Sequence, residues 1–170
     1  MKIILISFII YSVIGTVLHF TYKLSNKSII VGIFSSVNES VWEHIKILMT
    51  PIFLFNTVLY IMKYQHNYFI SLFMQLLVAM LSITYLYKLK VKIFKDKKPF
   101  YNLIIFYISS FLCSVTLYVT HKIYIPRFIN LMSVFLVIIF YLMYMTFTVC
   151  PPKKELFLDP ITNTYGIDCK

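Results

Sequence analysis

The sequence predicts an all-α polytopic membrane protein, a bundle of five transmembrane helices. Hydrophobic residues make up 60% of the 170 residues and charged residues only 13%. Soluble domains average about 45–50% apolar and about 25% charged residues. Five apolar stretches approach the length of a membrane-spanning helix, and lipid favours helices because they satisfy their own backbone hydrogen bonds. The lipid bilayer is therefore the first partner that the sequence predicts.

Four of the five predicted spans are continuous apolar stretches. A helix needs about 20 residues to cross roughly 30 Å of hydrocarbon. Residues 3–22, 68–87, 100–120 and 128–150 meet this length. His19 is the only charged or imidazole-bearing residue of the first, and the other three contain no Asp, Glu, Lys or Arg. Each of these stretches is predicted to cross the membrane once.

The second span is too short unless it includes charged residues. Ile47–Met62 is only 16 residues long, and a 20-residue span ending at Met62 begins at Glu43. The predicted span is therefore 43–62, which places Glu43 and His44 at the hydrocarbon edge. Lys46 is expected to extend its ammonium group outward to the membrane surface.

The distribution of Lys and Arg predicts the orientation. With five crossings, one side of the membrane receives twelve of these residues, including six lysines between positions 88 and 98, and the other side receives four. The excess of positive charge is typical of the cytoplasmic side. This predicts a membrane protein with its N-terminus outside and the tail, residues 151–170, in the cytoplasm. The net charge of +10 is explained by these loops, and no motif indicates a nucleic-acid partner.

The segment Asn38-Glu39-Ser40-Val41-Trp42-Glu43-His44 precedes and begins the second span and holds two of the six acidic residues of the chain. Ionisable groups at the membrane boundary are functional candidates. The patterns Ser36-x-x-Glu39 and Ser40-x-x-Glu43 also fit a helix capping box. A cap explains one glutamate but hardly both, and it does not explain His44.

Small and polar residues on the first span indicate a face that packs against another helix. They are Ser12, Gly15, Thr16, His19 and Lys23. His19 lies near the same side of the membrane as the start of the second span. We therefore expect His19, Glu39, Glu43 and His44 to converge as candidate catalytic residues. Asn38, Trp42 and Asp159 are candidate binding residues.

The chemistry of these candidates leaves the cofactor open. Carboxylates and imidazoles suit Zn or Fe, and an imidazole beside a carboxylate suits acid–base chemistry. The spacing is neither His-Glu-x-x-His nor Glu-x-x-His, so no metal, cofactor or enzyme class is assigned. Pro51 removes a backbone donor from the Ile47 carbonyl, which favours a polar cavity nearby. Interhelical hydrogen bonds are expected from the other polar residues within the spans, Asn56, Gln75, Asn102 and Asn130.

The sequence of the C-terminal tail predicts turns and an apolar segment and is not typical of a disordered end. Pro151-Pro152 ends the fifth span, Leu156-Phe157-Leu158 is apolar, and Asp159-Pro160 and residues 163–166 form turns. A tail that closes over the Glu/His residues as a lid and a tail merely anchored on the surface are both consistent with this pattern.

The start of the second span, together with His19-Phe20-x-Tyr22 and Asp159-Pro160-x-Thr162-x-x-Tyr165-Gly166-Ile167, resembles a family of small bacterial integral membrane proteins of unknown function, mostly from clostridia-type Firmicutes. In the family pattern, Pro is usual at position 36 and Gly at position 163, where this chain has Ser36 and Asn163. The resemblance covers the whole chain and implies a multi-pass protein of the bacterial plasma membrane, without an activity.

Two functions remain open from the sequence. The Glu/His residues can form a site that binds or processes a lipid-like or small polar molecule. Alternatively, the chain is a non-catalytic membrane subunit or scaffold, in which the same residues cap and anchor a helix. A protein partner or a homo-oligomer is compatible with either function.

Overall fold

The computed structural model describes residues 1–94 and 100–167. Within them it forms six α-helices, followed by a short 3-10 turn at Glu155–Phe157. The helices are α1 (Lys2–Leu24), α2 (Ile29–Phe34), α3 (Val41–Ile61), α4 (Tyr68–Phe94), α5 (Phe100–Lys122) and α6 (Arg127–Val149). Lys95, Lys97, Lys98 and Lys170, which entered the charge argument, lie outside the described residues.

The predicted fold class is confirmed. Five helices, all except α2, are long and apolar enough to cross a membrane. Two features were not predicted. Helix α2 is a six-residue helix in the first connection, and α4 continues beyond residue 87 to Phe94, through Lys88, Lys90 and Lys92. Lysine has a high helix propensity, so these residues extend α4 instead of ending it.

Helices α1, α3, α4 and α5 form a ring in which each packs against two neighbours, and α6 packs against α4. The closest approach lies at Gly15 of α1. A Cβ atom added there would collide with the ring of Phe106 from α5 and lie 3.1 Å from the Ile47 carbonyl oxygen of α3. This carbonyl is the one that Pro51 deprives of its usual donor. The absence of a side chain at Gly15 thus allows three helices to meet.

A buried hydrogen-bond network joins α1, α3 and α4 in the middle of the bundle. The Tyr11 hydroxyl donates to Gln75 Oε1 at 2.7 Å, and Gln75 Nε2 donates to Asn56 Oδ1 at 3.1 Å. Asn102 and Asn130 also bond between helices, accepting from Lys90 Nζ and the Ile70 backbone N–H. The expectation of interhelical hydrogen bonds from these four amide side chains is confirmed.

We expect Gly15→Ala to lower stability by about 1–3 kcal/mol because the new methyl group overpacks the contact between Gly15 and Phe106. Thermal unfolding in detergent measures the change. Ile6→Ala, at a half-exposed position of the same helix, is the control and should have little effect. Adding Phe106→Leu to Gly15→Ala should restore part of the loss, and failure of this rescue would contradict the proposed contact.

Candidate functional site

The loop before α3 uses its polar side chains to start the helix. Ser40 is the N-cap, and its hydroxyl accepts from the Glu43 backbone N–H at 3.4 Å. The Asn38 side chain accepts from the Ser40 backbone N–H at 3.0 Å. The pattern Ser36-x-x-Glu39 forms no cap, because the Ser36 hydroxyl instead donates to the Asn38 carbonyl at 2.6 Å. Glu39 is therefore left outside the helix, and its carboxylate is available for other contacts.

Glu43 forms a buried ion pair and does not join the other candidates. Its Oε2 lies 2.6 Å from Lys46 Nζ and accepts from the Val37 backbone N–H at 2.8 Å. Lys46 also donates to the Gly32 carbonyl at 2.7 Å and to the Thr148 hydroxyl at 3.1 Å. The prediction that Lys46 reaches outward to the membrane surface was wrong. Three oxygen atoms inside the protein, from Glu43, Gly32 and Thr148, hold its ammonium group in place of water.

The remaining three candidates do converge. His19 Nε2 lies 3.4 Å from Glu39 Oε1, and His44 Nε2 lies 4.0 Å from Glu39 Oε2. The centres of the two imidazole rings are 5.6 Å apart. The side chains of His19 and Glu39 are 23% and 21% exposed and that of His44 is 12% exposed, so the cluster lies at a partly hydrated boundary. We refer to these residues as the His–Glu–His cluster.

The neighbouring side chains favour the ionised form of Glu39. The hydrogen bond with His19 lowers the pKa of Glu39 below its ordinary value. Partial burial opposes this shift, whereas electrostatic interaction with His19, His44 and Lys23 reinforces it. Glu39 is therefore ionised at neutral pH.

The proton of His44 is fixed by the helix itself. Its Nδ1 lies 2.8 Å from the Ser40 carbonyl oxygen, which can only accept. Nδ1 therefore carries the proton in the neutral ring, and Nε2 directs its lone pair towards Glu39.

A cavity of about 110 Å³ lies beside the cluster. It is lined by Thr16, His19, Phe20, Glu39, His44, Ile47, Asn102, Leu103 and Phe106. Asn102 was predicted to make a hydrogen bond between helices. Its Oδ1 does accept from Lys90, and the residue also lines the cavity. No sequence signal indicated this role, since it depends on the start of α5 meeting α1 and α3.

An apolar groove adjoins the cavity. It has a volume of about 440 Å³ and runs between α1 and α5, lined by Phe8, Ile9, Ser12, Val13, Thr16, Val17 and Tyr107. Thr16 lines both the groove and the cavity. Val13 and Val17 are each 57% exposed on the outer surface of the bundle, which a membrane would cover with lipid.

The three candidate binding residues lie on the other side of the α3 start. Asn38 Nδ2 donates to the Gly166 carbonyl in the tail at 3.4 Å, and the Trp42 ring packs 5.1 Å from that of Phe157. Asp159 accepts from the Ile161 backbone N–H and the Thr162 hydroxyl, both at 2.8 Å. None of the three lines the cavity beside the cluster. Their role in ligand binding stays a prediction, and their observed contacts hold the tail.

The tail does not cover the His–Glu–His cluster. Of the two arrangements expected for the tail, the structure therefore does not show the lid. Phe157 is buried against Trp42 and Phe147, and no described tail residue lines the cavity. Trp42 and His44 are two positions apart, which places them on nearly opposite sides of a helix. Asn163 and Gly166 both have left-handed backbones, with φ of 55° and 57°. Asn163 thus adopts the backbone conformation that glycine favours, which asparagine tolerates better than most residues.

Five apolar helices with a His- and Glu-lined cavity at one end define a multi-pass helical membrane protein. A family model described as "Family of unknown function (DUF6512)" matches residues 1–167. The chain belongs to this family, as its resemblance to a family of unknown function predicted. Neither a curated protein nor a solved structure matches the chain. The bacterial source and the family motif at the start of α3 stay predictions.

The two glutamates are expected to respond differently to the same substitution. Glu43→Gln should lower stability by about 3–5 kcal/mol, because it leaves the Lys46 ammonium group buried without a counter-charge. Glu39→Gln should change stability by less than about 1 kcal/mol, since this side chain is partly hydrated. Unfolding in detergent, followed by tryptophan fluorescence, compares the two.

A double variant tests the cause of this difference. Glu43→Gln combined with Lys46→Met removes both charges, while the glutamine still accepts from Val37. We expect it to recover most of the stability lost in Glu43→Gln alone. Equal destabilisation by Glu39→Gln and Glu43→Gln would instead mean that the ion pair has no special structural role.

Proposed function

We propose that the protein binds a lipid-like molecule, with the polar end of this ligand in the cavity beside the His–Glu–His cluster. The observation that carries the proposal is that Thr16 lines both the cavity beside the cluster and the apolar groove, so the two spaces are neighbours. An amphiphile has the same two parts. Its chain would lie in the groove between α1 and α5, and its polar end would reach His19, Glu39 and His44.

The position of the groove favours a ligand that arrives from the bilayer. Val13 and Val17 are on the lipid-facing side of α1, so a lipid chain can enter sideways without crossing water. The polar end then meets the imidazoles, the Glu39 carboxylate and the amide group of Asn102. These groups can donate to and accept from hydroxyl or phosphate oxygens. An imidazole beside a carboxylate can also transfer protons to or from the bound molecule.

The proposal places this site at the cytoplasmic boundary of a bacterial plasma membrane. The support is the Lys and Arg bias of the loops, which favours an outside N-terminus and a cytoplasmic tail.

Fusion proteins test this orientation. Green fluorescent protein fused after the tail should fluoresce, and alkaline phosphatase fused at the same position should be inactive, because it matures only outside the cytoplasm. The same two fusions after residue 64, in the connection between α3 and α4, should give the opposite pattern. An active phosphatase at the tail would reverse the orientation.

Ligand binding is tested by thermal unfolding in detergent with added lipid. We expect phosphatidylglycerol or diacylglycerol to raise the unfolding temperature of the wild type. Val13→Trp, which fills the groove, and Glu39→Gln, which changes the cavity, should each abolish the shift. Ile139→Trp, at a similarly exposed position of α6, is the matched control and should retain it.

The remaining outcomes distinguish the alternatives. A shift with soluble glycerol phosphate that survives Val13→Trp would indicate a small polar ligand. If no compound shifts the wild type, and Ser40→Ala lowers stability by a capping-sized amount of about 1 kcal/mol, the structural scaffold becomes the better description.

A further inference from the structure

We propose that His19, Glu39 and His44 hold a divalent transition-metal ion of the zinc type, with a coordination position open to the cavity. The inference rests on the proposed function for the role of that open position. Metal binding itself is a separate property that can be measured without any lipid.

The donor atoms are close to the separation that one ion requires. One donor atom from each residue can be chosen so that all three lie within 4.8 Å of one another. Zinc bonds to imidazole nitrogen and carboxylate oxygen are about 2.0–2.2 Å long, so donors around one ion lie about 3–4 Å apart. The spacings of Glu39 to His19 and His44, 3.4 and 4.0 Å, are already near this range. Small side-chain rotations complete the geometry, and the proton that His19 Nε2 donates to Glu39 is released when the metal ion binds.

Two neighbouring atoms of the cluster, His44 Nε2 and Glu39 Oε2, are both electron-pair donors that a cation could bridge. In neutral His44 the ring proton is on Nδ1, which donates to the Ser40 carbonyl, so Nε2 has a lone pair. The neighbouring Glu39 Oε2 is a carboxylate oxygen and also has lone pairs. At 4.0 Å these two acceptors share no hydrogen bond. A metal ion between them would bind both. A backbone carbonyl that accepts from the far nitrogen is also the usual partner of a metal-bound histidine, since it fixes the ring orientation.

The ligand set selects the type of ion. Two imidazoles favour zinc, iron, nickel or copper over magnesium and calcium, which prefer oxygen. Three protein ligands leave a fourth position for water or substrate, as in catalytic zinc sites. The spacing of the three residues in the sequence matches no metal-binding motif, because the ligands come from three segments. These are the end of α1, the loop before α3 and the first turn of α3.

The open position would take an oxygen ligand, preferably an anionic one. A divalent ion with one carboxylate ligand keeps a net positive charge, and the lysine ammonium groups of Lys23 and Lys90 lie on the same end of the bundle. Phosphate or carboxylate oxygens of the lipid-like ligand match this charge. The Asn102 amide can donate to the same group.

The experiment uses the full chain without a polyhistidine tag, stripped with a chelator in detergent and reloaded with Zn²⁺ or Co²⁺. We expect one ion per chain by elemental analysis, and visible absorption bands from bound Co²⁺. His19→Gln, Glu39→Gln and His44→Ala should each weaken Zn²⁺ binding on the order of a hundredfold or more. His66→Ala, an exposed histidine in the connection between α3 and α4, is the matched control and should bind as the wild type does.

Absence of a stoichiometric ion in the wild type, or equal Zn²⁺ binding after all three substitutions, would overturn the proposal. The unfolding temperature of each metal-free variant is compared with that of the metal-free wild type, so that misfolding is recognised. His19→Gln serves as the second variant if Glu39→Gln fails to fold, because His19 has no role in starting α3. Val13→Trp separates the two proposals, since it should bind Zn²⁺ normally while losing lipid.

Discussion

The buried ion pair between Glu43 and Lys46 fixes the end of the bundle on which the candidate site depends. Lys46 reaches Gly32 in α2 and Thr148 in α6, and Glu43 holds the backbone at Val37. Burying two charges carries a large desolvation cost, which close pairing and additional hydrogen bonds offset. The loop that carries Glu39 is thereby held from both sides, and its carboxylate can face the two imidazoles in a defined position.

The first turn of α3 separates structural and chemical roles by helix geometry. Trp42 and Glu43 face the tail and the interior, where aromatic packing and the ion pair hold the chain together. His44 faces α1 and the cavity. The two glutamates of the short segment therefore have different surroundings: Glu43 is paired with Lys46 in the interior, and Glu39, outside the helix, lies beside the two imidazoles. The tail completes the structural side and leaves the cavity uncovered.

Local sequence rules predicted the elements well where one physical cause dominated. The apolar stretches predicted the five long helices, because a bilayer demands both their length and their composition. Of the two capping boxes that the sequence allowed, only the cap at Ser40 forms, and the Ser40 backbone N–H donates to Asn38 instead of to Glu43. Gly15 was correctly predicted to lie on a face that packs against another helix. The prediction for Lys46 was wrong because it considered only lipid and surface water as surroundings of the ammonium group. Two of its partners inside the protein, Gly32 and Thr148, are 14 and 102 positions away along the chain.

The sequence by itself determined the class of protein, the number of long helices and the three residues of the His–Glu–His cluster within a larger candidate set. Only the tertiary structure separated Glu39 from Glu43, placed Asn102 at the cavity and directed the tail to the Trp42 side. The physical reason is that hydropathy and capping act over a few neighbouring residues. Convergence of a helix end, a loop and a helix start depends instead on packing between segments distant in the chain.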